Sequence, residues 1–143
     1  MMIDIENGIV DFDIIKVCKT TKFEEFEALS DEVVEKSISK RGSHFYVLKS
    51  PIEKNGISMR ASVFFSYRDD SNPSIEFLPY IKGDCRDAFN ASHKWLESLL
   101  NIQLDTSNMS IRVQNDKLRI TSMVAYDKRG GFEFGGSIEI NFE

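Results

Sequence analysis

Cysteine and histidine are scarce in this sequence, two residues of each, and that scarcity removes whole classes of chemistry. Cys18 and Cys85 are far apart and form no C-x-x-C arrangement, so two reduced, partly buried thiols are expected rather than a redox motif. Only His44 and His93 could join them as metal ligands, and no pair has ligand spacing; no metal is assigned. Long apolar runs are missing too: none approaches the ~18 residues of a membrane span. The opening Met1-Met2-Ile3-Asp4-Ile5-Glu6 has neither the basic region nor the apolar stretch of a signal peptide, which reads as a cytoplasmic protein with no membrane partner.

Catalytic motifs are equally hard to assemble. Nucleophilic catalysis needs a hydroxyl or thiol held against a base, and the only local candidates are Ser43-His44 and Ser92-His93. Adjacency does not make that geometry, and surface or boundary placement is the expectation for His93. The paired carboxylates Asp69-Asp70 and Glu24-Glu25 are explained by solvation or by helix-start electrostatics. Gly130-Gly131 and Gly135-Gly136 match neither the P-loop nor the dinucleotide fingerprint, so they read as turns, without a cofactor. Phe64, Phe65, Tyr67 and Arg68 have the chemistry to stack bases, but eleven Phe residues are needed first for a core. The reading is a non-enzyme, with no catalytic residue, no cofactor and no direct nucleic-acid binding.

What is present is an ordinary globular composition, 41% apolar and 29% charged over 143 residues. A chain of that length buries roughly 70% of its unfolded surface, enough for one core without staples. No linker or repeat divides it, so residues 1–143 are read as a single domain. Charge is unevenly spread. Residues 1–35 hold ten carboxylates against Lys16, Lys19 and Lys22, a net −7 that leaves +2 on the rest of a chain whose total is −5. Such a segment is either a solvated surface or one that steers a cationic protein partner.

Periodicity gives the elements. Met2–Glu6 and Ile9–Ile14 alternate around Asn7-Gly8, which predicts a hairpin with a type I′ turn. Thr21-x-x-Glu24 predicts a capping box opening a helix over about 22–30, with Phe23, Phe26 and Leu29 on its apolar face. Residues 30–40 are left open between helix and loop. Strands are expected at Phe45–Leu48, along Ile57–Tyr67 with Ile57, Met59, Ala61, Val63 and Phe65 on one face, and at Ser74–Leu78, ending at Pro79. After Gly83, Asp84 is the expected N-cap of a long helix over about 84–101, with Asp87 in its first turn. Cys85, Ala88, Ser92, Trp95, Leu96 and Leu99 form its inner stripe, and Trp95 is its anchor on the sheet. Strands return at Ser110–Val113, Leu118–Tyr126 and Gly136–Phe142. The predicted class is α+β: a mainly antiparallel sheet of about 6–8 strands with the two helices packed on it.

Certain strings carry a resemblance. Trp95-Leu96-Glu97, Tyr126-Asp127-Lys128-Arg129-Gly130-Gly131 and Ile138-Glu139-Ile140-Asn141-Phe142 resemble a group of small bacterial proteins, and Ile5-Glu6-Asn7-Gly8 with Thr20-Thr21-Lys22-Phe23-Glu24 is similar at the other end. Small acidic proteins of this kind resemble immunity proteins for toxins, including those of contact-dependent growth inhibition. The resemblance implies a partner: a cognate bacterial toxin, bound in the cytoplasm and blocked at its active site. A nuclease with a cationic cleft would meet Glu24, Glu25, Glu27, Asp31, Glu32 and Glu35 in place of phosphates. The alternative is an adaptor or regulatory module that adds a peptide to a sheet edge or presents its Gly-rich turn.

Overall fold

A computed structural model describes residues 1–68, 72–80, 85–105, 110–123 and 137–143. The expected Asp84 cap, the Asp69-Asp70 pair and the Gly130-Gly131 turn with its flanking strings lie outside them. The fold is α+β. Strands β1 (Met2–Asp4), β2 (Ile9–Asp11) and β3 (Lys16–Val17) make a small antiparallel sheet, followed by helix α1 (Phe23–Glu27). Strands β4 (Val34–Ile38), β5 (His44–Leu48), β6 (Ile52–Lys54), β7 (Ile57–Phe65) and β8 (Ser74–Pro79) lead to helix α2 (Cys85–Leu100). Strands β9 (Ser110–Gln114), β10 (Leu118–Met123) and β11 (Ser137–Phe142) complete an eight-stranded antiparallel sheet, ordered β4-β5-β7-β8-β11-β10-β9, with β6 paired to β7.

Alternation decides which face is buried. Register places Tyr46, Val63, Ile75, Ile140 and Ile120 abreast on neighbouring strands, and all are buried. One step along each strand, Val47, Ser62, Glu76, Glu139 and Thr121 stand abreast on the opposite face, where none is fully buried. This is the pattern of an antiparallel sheet with one face packed and one face wet. The packed face is covered by α2, α1 and the small sheet, whose Phe12 reaches Phe77 at 6.1 Å. Within β7, Met59, Ala61, Val63 and Phe65 are buried, as the sequence pattern predicts, and Ile57 packs at the margin.

Trp95 anchors α2 as expected. It is fully buried, sits 5.0 Å from the Phe77 ring and donates its indole N–H to the Ile52 carbonyl at 3.3 Å. The helix ends at Asn101, whose φ of 53° lets the Ile102 amide reach back to Glu97 O.

Several local expectations are corrected. The Asn7-Gly8 hairpin forms, but Asp4 pairs with Ile9, so the connection is four residues long and only Gly8 has positive φ. Asp4 explains it: its carboxylate accepts from both the Asn7 amide and the Asn7 side chain, fixing a wider turn. The type I′ turn sits instead at Asn55-Gly56, both at positive φ, between the paired Lys54 and Ile57. Helix α1 is shorter than 22–30 and begins one residue later than its predicted box. Lys22 is the N-cap, and its amide donates to Glu25 Oε2 at 2.7 Å, while Thr21 Oγ1 accepts from Cys18 N in the preceding turn. Residues 34–38 are strand, and Pro79 is its strand's last paired residue, with the Tyr80 amide still bonded to Ser58 O.

Candidate functional site

The sequence-predicted acidic residues all reach solvent, but not as one face. Glu24, Glu25 and Glu27 lie on α1, Asp31 and Glu32 on the turn after it, and all five are exposed. Glu35 is exposed on β4, where its pairing with Val47 puts it on the wet side of the sheet, opposite α1. The carboxylates also differ in what already holds them. Glu25 caps the helix start, Asp31 pairs with Lys36 Nζ at 3.1 Å, and Glu27 accepts the Tyr46 hydroxyl at 2.6 Å. Lys36 further donates to the Glu27 and Leu29 carbonyls, closing the C-terminal end of α1. The carboxylates of Glu24, Glu32 and Glu35 have no ion-pair or hydrogen-bond partner among the described residues.

Beneath α1 lies a network that the sequence did not reveal. Phe26 is buried against Tyr46 and Phe65, and Phe23 stacks on the His44 ring at 3.9 Å and 12°. His44 and Tyr46 share the packed face of β5, and His44 Nδ1 lies 3.3 Å from the Tyr46 oxygen. Tyr46 has one proton, and the short bond to Glu27 uses it, so the contact with His44 requires an Nδ1–H donor. Burial, and then the bond to Glu27, push the Tyr46 phenol well above its ordinary range and keep it protonated.

His44 also lines a cleft of about 470 Å³ between the residue 19–24 segment and the end of β7, with Lys19, Lys22, Tyr67 and Arg68 around it. Neither serine–histidine pair reads as a nucleophile and base. Ser43 Oγ accepts from the Tyr67 amide at 3.1 Å, while His44 is turned to Tyr46. His93 departs from the expected surface or boundary placement: it is 1% exposed, packs on Phe89 at 3.9 Å, and among the described residues neither ring nitrogen has a hydrogen-bond partner. Burial pushes its imidazole below the usual value, with Glu97 opposing more weakly. A neutral ring inside the helix–sheet interface follows.

Cys18 is a free, half-buried thiol. Burial raises its pKa, but hydrogen bonds with Thr20 and Thr21 outweigh it and leave the thiol below its ordinary value. Among the described residues no group of three or more His, Cys, Asp or Glu side chains is placed to hold a metal ion, and no helix is long and apolar enough to cross a membrane. Comparison with protein-family models, with curated proteins and with solved structures finds no match.

Proposed function

We propose that this chain is a non-enzymatic immunity protein, acting in the bacterial cytoplasm by binding a cognate toxin and covering its active site. The observation that carries the reading is the run of five exposed carboxylates, Glu24, Glu25, Glu27, Asp31 and Glu32, on α1 and its following turn. Carried by a segment of net −7, they present a negative surface to a cationic cleft such as a nuclease uses for its substrate. Glu35 lies on the other side of the sheet and is the weakest member of the predicted set.

The partners already made within the fold show how to test the surface without disturbing it. Glu25, Glu27 and Asp31 each bond inside the chain, so their loss confuses binding with folding. Among the described residues the carboxylates of Glu24 and Glu32 do not. Co-expression with the product of the neighbouring reading frame should give a tight complex and restore growth, and Glu24→Lys/Glu32→Lys should slow association about tenfold or more. An unchanged association rate would refute the site. A neighbouring product that is neither toxic nor bound would refute immunity itself.

A second reading, an adaptor that adds a partner strand, is favoured by one feature: β4 ends the sheet, with β5 as its only neighbour among the described strands. Hydrogen exchange in the complex separates the two. Protection of alternate β4 amides marks strand addition, whereas protection confined to α1 and residues 28–33 marks docking on the carboxylates.

A further inference from the structure

The cations of the acidic N-terminal quarter of the chain are not distributed like its carboxylates. Residues 1–35 contain only Lys16, Lys19 and Lys22. Lys16, outside the cleft, pairs with Asp11 at 3.6 Å, and Lys36, just beyond the segment, pairs with Asp31. Lys19 and Lys22 both line the cleft, and among the described residues neither ammonium has a carboxylate oxygen within 4.0 Å. In a segment with ten carboxylates, two lysines without a carboxylate partner among the described residues therefore share one concavity. Low-dielectric walls strengthen the field of charges that line a cleft.

The remaining lining suits the same ligand. Arg68, engaged elsewhere as well, brings a guanidinium from just beyond β7, lying 5.9 Å over the exposed Tyr67 ring. Glu24 is the single carboxylate among the described lining residues. The lysines are held by ordered backbone: Thr21 N donates to Cys18 O and Cys18 N donates to Thr21 Oγ1, a reciprocal turn around Lys19, and Lys22 is fixed as the N-cap of α1. A cleft of about 470 Å³ falls within the size range of small-molecule sites. We infer that this cleft binds the phosphate group of a small phosphorylated molecule, with Lys19 and Lys22 as its principal partners and the Tyr67–Arg68 side as the wall for the organic portion. This site borders the proposed toxin surface and shares Glu24 with it, but its ligand does not depend on that reading.

The test is a nuclear magnetic resonance titration of the full chain, at constant ionic strength, with inorganic phosphate, adenosine 5′-monophosphate, adenosine and sodium chloride. Phosphate and the nucleotide should give saturable shifts centred on the amides of Lys19, Lys22, His44 and Tyr67; adenosine and chloride should not. Lys19→Gln/Lys22→Gln should weaken phosphate binding about tenfold or more, and Lys19→Gln alone by less. Lys49→Gln/Lys94→Gln, altering exposed lysines outside the cleft, should leave it unchanged. Shifts reproduced by chloride, or binding that survives Lys19→Gln/Lys22→Gln, would overturn the proposal, as would the absence of any saturable response to either phosphate compound.

Discussion

His93 is a polar ring with no polar partner among the described residues, and its burial makes a pH prediction with a definite sign. Its folded-state pKa lies below the unfolded value near 6.5, so the unfolded chain binds the proton more readily. Above pH ~6.5 both states are neutral and the group has no effect. As pH falls through that value the unfolded state gains a proton the folded state resists, and stability declines. Chemical denaturation between pH 7.5 and 5 should show this loss, and His93→Leu should remove its His93 component. The substitution also deletes two buried unpaired nitrogens, so it should raise stability at neutral pH by about 1 kcal/mol. Tyr46→Phe acts in the opposite direction: losing the hydroxyl shared by Glu27 and His44 should lower stability by about 1 kcal/mol in the same assay.

At the scale of the element, two Asn-Gly turns give a matched comparison. Gly56 has φ +72° and open space around its missing Cβ, so Gly56→Ala meets only the left-handed backbone penalty, about 1–2 kcal/mol. Gly8 has φ +66°, and an added Cβ would lie 2.9 Å from Lys117 Cβ in the β9–β10 turn. Asn115 Nδ2 binds Ile5 O at 2.7 Å in the same contact, so the turn cannot simply move away. Gly8→Ala should therefore be the more damaging by thermal or chemical denaturation, by roughly 1–3 kcal/mol. Sequence reasoning placed both the helices and most strands because their apolar spacing is local information. It missed the register of the α1 cap because Thr21-x-x-Glu24 and Lys22-x-x-Glu25 overlap, and the hydroxyl of Thr21 was taken by Cys18 N. It left β4 open because Glu35, Lys36 and Ser37 carry no apolar alternation; Lys36 lies on the packed side only by reaching the end of α1.

Across the whole molecule, the sheet order was the least legible feature. The final strand β11 lies between β8 and β10, so Ile140 sits between Ile75 and Ile120 and closes the core from the far end of the chain. Trp95 bridges the resulting layers, packing on Phe77 from β8 and bonding Ile52 from β6, and Trp95→Ala should cost about 3–5 kcal/mol by denaturation. The candidate site was partly legible. Acidic residues exposed on α1 follow from composition and helical spacing, but the pairing of Glu27 with Tyr46 and the turn of Glu35 to the other face depend on long-range register. Lys19 and Lys22 were visible only as exceptions to the acidic run; the cleft that gives them a setting is tertiary. On the proposed function, the α1 carboxylates steer this chain to a cationic protein partner. This steering is tested most directly by measuring the association rate with the neighbouring gene's product across salt concentrations, for the native chain and for Glu24→Lys/Glu32→Lys. The native rate should fall steeply with salt, and the variant should be slower at low salt with a shallower dependence. Equal rates with equal salt dependence would contradict it.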